Sequence, residues 1–316
     1  MRVVVIGGKG KVGTYLVPML VERGHEVINV SRGTQQPYLP NSCWKDVRQV
    51  TLDRQQEDAE GIFGKNIADL KPDVVIDMIC FKVENEKHLA ESLKGELQHF
   101  LSCGSVWIHE LCTEIPVVEQ QSRNATDDYG INKAAIEDYL TECTEKGWFA
   151  GTVAHPGHIV GPGHEPINPA GHKDPSIFSK LMHGEEVILP HFGRETVHHV
   201  HAEDVAQVFI RAIENREKSA GQGFHAVSST AVNLEGFARA VAAWFGKEAN
   251  LRFVPWDEWS AQNNETDVAL TQTHLLHSPN ASIEKAKRLL GYEPRYTSLE
   301  AVRESVDWLI EHGRIK

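Results

Sequence analysis

Tyr129 and Lys133 stand four residues apart in Tyr129-Gly130-Ile131-Asn132-Lys133. On a helix that spacing puts both side chains on one face, about one turn apart. The chemistry it allows is proton exchange with a hydroxyl or carbonyl group. A tyrosine with an ordinary pKa near ~10 is a poor acid-base group at neutral pH, and a neighbouring ammonium favours the phenolate and draws that pKa toward the working range. Spacing alone decides little in a chain with six tyrosines. Location adds the weight: the pair opens the helix after a strand ending near Ser102, on the sheet edge where nucleotides lie in alternating folds.

The second chemical feature is Gly7-Gly8-Lys9-Gly10-Lys11-Val12-Gly13. Gly7, Gly10 and Gly13 lie between a predicted strand and a predicted helix, where backbone N–H groups must come close to a pyrophosphate and a side chain would block the approach. The corner after the second strand reads Val30-Ser31-Arg32-Gly33 and lacks the acidic residue that takes ribose hydroxyls in NAD-specific folds. Arg32 is a fork for a 2′-phosphate, with Ser31 beside it and Lys9 or Lys11 as helpers; the alternative is a solvated loop arginine. Asp53, after the third strand, either accepts from the adenine amino group or marks a surface turn. The expected cofactor is therefore NAD(P), leaning to NADP, and the expected chemistry is hydride transfer.

The elements that position these residues read as an α/β fold, a doubly wound parallel sheet. Arg2–Ile6 is a buried strand, and Val12, Tyr15, Leu16, Met19 and Leu20 recur at helical spacing before Gly24, with Pro18 expected to kink that helix. Strands follow at 26–30, 73–78, 99–102 and 149–154 with helical stretches between most of them, which means a parallel sheet. From Gly157 to Pro175 the chain turns dense in Gly, Pro and His. The expected organisation is a Rossmann domain over 1–156, rejoined by strand and helix segments at about 197–228. A smaller, mostly helical substrate domain takes 157–196 and 229–316. In the latter half Asp204 is expected to cap a helix from Val205, and Thr297-Ser298-Leu299-Glu300 is a capping box opening a helix to Glu311, while the stretch before it reads as irregular.

Bulk properties exclude several classes. No window approaches the ~18 apolar residues of a membrane span, and Met1 to Ile6 is too short for a signal peptide, so a cytoplasmic location is expected. Five scattered cysteines without a C-x-x-C pair suggest neither disulfides nor zinc. A net charge of -12 argues against nucleic acid. The partners expected are a small-molecule substrate and a second copy of the chain, with no nucleic acid and no membrane.

With the glycine loop and the Tyr129/Lys133 pair, three further segments make the sequence resemble the extended short-chain dehydrogenase/reductases, in particular their NAD-dependent epimerase/dehydratase branch. They are His155-Pro156-Gly157-His158-Ile159-Val160-Gly161-Pro162-Gly163, Val200-His201-Ala202-Glu203-Asp204-Val205-Ala206, and Ala286-Lys287-Arg288-Leu289-Leu290-Gly291-Tyr292-Glu293-Pro294. The resemblance implies that Tyr129 exchanges a proton with the substrate while hydride moves to or from the nicotinamide, and that Lys133 also holds the nicotinamide ribose. Met78, Pro156 and His158 complete the expected cofactor contacts.

The family usually adds a Ser or Thr after the fifth strand. Aligning Trp107 with the aromatic that commonly ends this motif places Cys103 there, with Ser102 and Ser105 as neighbours that can serve instead. Ser105, Trp107, His155 and His158 are the expected substrate contacts, and His198, His199 and His201 read as strand residues. No metal is expected. Val197 stands where relatives acting on nucleotide sugars often carry a diphosphate-binding arginine, and Arg194 is out of register, which puts a nucleoside-diphosphate substrate in doubt. The reading is an NAD(P)-dependent oxidoreductase or epimerase acting on a sugar-like or other small hydroxylated substrate. The alternatives are a nucleoside-diphosphate-sugar epimerase, or a non-catalytic nucleotide- or RNA-binding relative.

Overall fold

A computed structural model describes residues 1–110 and 112–316. The chain opens with β1 (Arg2–Ile6), α1 (Gly13–Glu22), β2 (Glu26–Ser31), β3 (Arg48–Thr51), α2 (Arg54–Ala59), α3 (Phe63–Ala68), β4 (Val74–Asp77), α4 (Val83–Ser92), β5 (His99–Cys103), α5 (Asp128–Glu145) and β6 (Ala150–Pro156). The seventh strand of the sheet is Gln222–Ala226, and the spatial order is seventh, β6, β5, β4, β1, β2, β3. Every neighbouring pair is parallel, with Val3 of β1 facing both Val27 and Val74. The expected doubly wound α/β sheet is therefore present. Chain order reverses between β1 and β4, so a crevice opens beyond the carboxyl ends of those two strands.

The sequence dictates this layout plainly. Val3, Val4, Val5 and Ile6 are buried, as a central parallel strand requires, and their two faces enter different apolar cores on either side of the sheet. Helix α1 runs through Pro18, which sits buried inside it, and Gly24 follows its end at φ 76°, the left-handed conformation that glycine adopts without a Cβ clash.

A third apolar core contains no residue of the seven strands. It gathers Phe178 and Leu181 of the helix Ser176–His183, Phe237 and Val241 of Leu234–Trp244, Trp259, and Val302 and Val306 of Ser298–Glu311. Three two-stranded sheets accompany it, one pairing His158–Val160 with His199–His201. The capping box opens the last helix as expected: Thr297 Oγ1 accepts from Glu300 N while Glu300 accepts from Thr297 N.

Three sequence expectations change here. The helix expected from Val205 spans Ala202–Glu214 and is capped by His201, whose Nδ1 accepts from Glu203 N. Asp204 instead sits buried in the first turn and accepts from the N–H groups of Arg295 and Tyr296, tying down a distant turn. The irregular stretch before Thr297 contains helices Glu265–His277 and Glu284–Leu290. The second of these, with Ala286, Leu290 and Tyr292, packs into a core of the large sheet.

Candidate functional site

Each glycine of the N-terminal loop has its own physical reason. Gly7 turns the chain at φ 83°, and a Cβ there would lie 2.8 Å from Ile79 Cγ2. A Cβ on Gly13 would lie 2.1 Å from the Gly8 carbonyl oxygen, so the start of α1 can rest on the loop only if this position is bare. At Gly10 a Cβ would meet nothing within 4 Å but the Gly7 oxygen, at 3.2 Å, so this position leaves room for an approaching ligand. Val12 caps α1 from inside the core. Among the described residues, the N–H groups of Lys11 and Val12 meet no backbone carbonyl, which leaves them available to an anion at a helix start. These features fit a dinucleotide pyrophosphate.

A cavity of about 750 Å3 extends from this loop over the ends of β2 and β3. Lys9, Ser31, Arg32 and Asp53 all line it. Arg32 is exposed and forms no ion pair among the described residues, whereas Asp53 Oδ1 caps α2 by accepting from Gln55 and Gln56. Lys11 departs from expectation. It does not line this cavity but faces Lys173 and Glu165 from the other half of the molecule, so Lys9 is the lysine near Arg32. Met78, just after β4, touches the Gly7 position, and Pro156 closes β6.

Tyr129 and Lys133 share the first turns of α5, which Asp127 caps by accepting from Gly130 N. Lys133 is 2% exposed, and its Nζ donates to the carbonyls of Cys80 (2.7 Å) and Cys103 (2.6 Å), at the ends of the fourth and fifth strands. One of its three protons is left over. The Nζ lies 5.7 Å from the Tyr129 ring centre. Burial removes the water that would solvate a phenolate and pushes the Tyr129 phenol up to about 12, with the Ser105 hydroxyl opposing part of that shift. Burial thus outweighs the lowering expected from Lys133.

The three candidates after the fifth strand separate. Ser105 is the candidate whose hydroxyl acts on the Tyr129 phenol, and its Oγ accepts from Trp107 N. Ser102 is fully buried at the end of β5 near the Glu86 carboxyl. Cys103 is buried in a core, and burial pushes its thiol up, so its contribution to the pair is its main-chain carbonyl.

His155, an expected substrate contact, is buried beneath the Ser105 turn. It is 1% exposed, with Nδ1 against the Ser105 backbone at 3.1 Å and Nε2 3.1 Å from Glu137, so it anchors the Ser105 turn from beneath. His158 lies among rings: its centre is 4.6 Å from His274, 5.8 Å from His199 and 6.0 Å from Trp107. Trp107 stands edge-on to Tyr129 at 6.3 Å and stacks on His277 at 4.4 Å. His198, buried between two short strands, has Nε2 against the Ser228 carbonyl and Nδ1 accepting from Ala281 N, while His199, buried in a strand, has only Nε2 partnered, by the Ile167 carbonyl.

A profile of the NAD dependent epimerase/dehydratase family matches residues 3–226. The chain belongs to that family. A 2′-dehydrokanamycin reductase of Streptomyces kanamyceticus is 25% identical over 315 residues, covering 100% of this chain and 86% of the relative. A chloroplast stem-loop binding protein of Arabidopsis thaliana is 23% identical over 325 residues, covering 99% and 80%. In fold, the chain is similar to the UDP-glucose 4-epimerase of Thermotoga maritima, at a TM-score of 0.74 with 19% identity and 99% coverage of both chains. The expected extended short-chain dehydrogenase/reductase kinship holds, and epimerases and reductases are among its relatives.

Within this family member, two groups near the site escape sequence reading. His274 and His277 come from Glu265–His277, a helix whose buried members include Thr271 and His274 rather than an apolar stripe. Its one local signal is Asn264, which accepts from Asp267 N as a cap. The other group is a buried charge cluster beside the nucleotide cavity. Arg54 pairs with Asp77, with Asp58 at 3.1 Å and with Glu86 at 3.7 Å. Asp77 also accepts from Ile79 N, shaping the turn to Cys80, whose carbonyl holds Lys133. Asp77, Cys80 and Glu86 are, among the described residues, the group whose ligand atoms come close enough for a metal, all within 4.8 Å. The Arg54 guanidinium already supplies positive charge there, and burial pushes the Glu86 carboxyl up toward its neutral form.

Proposed function

We propose that the protein is an NAD(P)-dependent oxidoreductase that uses Tyr129 as proton donor in the reduction of a carbonyl on a sugar-like or other small hydroxylated substrate. The supporting observation is Tyr129 one helical turn before Lys133, whose Nζ lies 5.7 Å from its ring centre, with burial holding the phenol protonated at neutral pH. When bound, the nicotinamide supplies the hydride. Tyr129 gives its proton to the carbonyl oxygen as the carbon is reduced, and the resulting phenolate recovers a proton from water. Lys133, fixed by two carbonyls, sets its charge beside that phenolate and directs its remaining proton to the ribose or the phenol. Ser105 steadies the same oxygen. Arg32, open to the cavity and without an ion pair, supports NADP over NAD. An epimerase would use the same groups in both directions and keep its nucleotide.

The test follows nicotinamide absorbance with NADH and NADPH over a panel of free sugars, sugar acids and nucleotide sugars. Tyr129→Phe should lower kcat by roughly 10²–10⁴-fold while NADPH affinity is unchanged. Turnover of a true substrate by that variant at the original rate would sink the reading.

A further inference from the structure

Helix α5 carries one more charged group on the face that holds Tyr129 and Lys133. Glu137 follows Lys133 by four residues, so the three side chains line up over successive turns. Its Oε2 lies 3.0 Å from Arg123 Nη1 and 3.1 Å from His155 Nε2. Against the upward push of burial, His155 and Arg123 hold the Glu137 carboxyl down at about 2, so it stays ionised at neutral pH. The pair is fitted closely against the sheet. A Cβ on Gly104 would lie 2.3 Å from His155 Nδ1, and one on Gly223 of the seventh strand would lie 2.2 Å from Glu137 Oε1. Two positions on separate stretches of chain are therefore bare where His155 and Glu137 pack.

On its other side, His155 meets the turn that carries Ser105. Nδ1 is 3.1 Å from both the nitrogen and the carbonyl oxygen of Ser105. These two contacts ask for opposite protonation: a bare Nδ1 accepts from the N–H, whereas a protonated Nδ1 donates to the carbonyl. The Glu137 carboxylate resolves the choice, because it attracts the proton of the neutral ring to Nε2. That leaves Nδ1 bare, and the Ser105 N–H donates to it. Ser105 Oγ also accepts from Trp107 N at 3.2 Å, which ties the hydroxyl that acts on the Tyr129 phenol to the same turn.

We propose that Glu137 is a positioning residue for the reaction: by fixing the tautomer of His155, it sets the Ser105 turn against Tyr129. The inference rests on the proposed function in giving Ser105 a task beside Tyr129; the placement of the turn is measurable without turnover.

Glu137→Gln keeps the size of the side chain and removes its charge. Hydrogen exchange followed by NMR on the full chain should show the Ser105 and Trp107 amides at least ~10-fold less protected in this variant, with the amides of β5 and β6 unchanged. In turnover of the substrate that the sugar panel identifies, kcat should fall about 10-fold, the scale of groups that act through a neighbour, while substrate KM and NADPH affinity stay within ~2-fold. Placed on Ser105→Ala, the same change should cost nothing further, because its route to Tyr129 is gone. Glu137→Asp, which keeps the charge and draws it back by one carbon, should give the same pattern and guards against a folding defect caused by the lost charge. Unchanged exchange at Ser105 and Trp107, an unchanged kcat, an equal loss on Ser105→Ala, or faster exchange spread over the whole sheet with a lower unfolding temperature would each overturn the proposal. If Tyr129→Phe turned over substrate normally while the two amides still loosened in Glu137→Gln, the catalytic reading would fall and the placement of the turn by Glu137 would stand.

Discussion

The proposed nucleotide site and the proposed substrate site are built by different means. Around the glycine loop recognition is made from backbone: bare Cα positions at Gly7, Gly10 and Gly13 and free N–H groups at the start of one helix. The proposed substrate site around Trp107 is made from side chains delivered by separate stretches of chain, with Ser105 after the fifth strand, His158 on a short strand, and His274 and His277 at the end of a helix. A backbone site of the first kind tolerates almost no added atoms. A side-chain site of the second kind can lose one member and keep its shape.

The largest contrast should come from Gly13→Ala. Its Cβ would overlap the Gly8 carbonyl at 2.1 Å, and α1 would have to lift from the loop. NADPH affinity, followed by fluorescence titration, should fall by at least ~100-fold, or about 2.7 kcal/mol. His277→Ala, by comparison, should leave that affinity within ~3-fold and act on substrate KM. If Gly13→Ala bound NADPH normally, the close packing of loop and helix would not be what sets this half.

The same contrast explains what the sequence disclosed. The glycine loop, the strands around it and the Tyr129/Lys133 spacing lie within short windows, so periodicity and residue type locate them. Ser105 could be narrowed to one of three residues but not chosen, because the choice depends on how the chain turns after Cys103 over the anchoring ring of His155. His274 and His277 were out of reach for a different reason: their helix buries polar residues and has no apolar stripe to reveal it. Arg54 was hidden as well, since its partners Asp77 and Glu86 lie 23 and 32 residues away, and nothing local pairs them.

Acid should separate the halves next. Burial lowers His199 to about 3 and His198, His201 and His274 to about 4. An imidazole held below its unfolded value of ~6.5 gains a proton only on unfolding, so its contribution to stability is complete above that pH and is lost as the pH falls toward 4, at about 1.4 kcal/mol per unit for each group. The seven-stranded sheet is mixed: burial lowers His99 on β5 to about 3 and lowers His225 on the seventh strand, while the buried Glu86 carboxyl is shifted up toward its protonated form. Hydrogen exchange between pH 7 and 5 should therefore show amides of Glu265–His277 losing protection before those of β1 and β4, with the unfolding temperature dropping over the same range. A flat unfolding temperature, or earlier opening of the strands, would contradict this placement of the histidines.

The smallest effect tests the one part of the nucleotide half that is made from a side chain. Arg32 lines the cavity without an ion pair among the described residues, which leaves its guanidinium open to a ligand group such as a 2′-phosphate. Arg32→Ala should cost about 1.5–3 kcal/mol of NADPH affinity, the range of a charged hydrogen bond, which is roughly 10- to 100-fold. NADH affinity should hardly change. The ratio of the two dissociation constants is therefore the useful measurement, because damage to the loop would weaken both nucleotides together. A variant that lost both equally would place Arg32 with the glycines as a shape-setting residue, and one that lost neither would leave NADP selection to Lys9 and Ser31 on the same cavity wall.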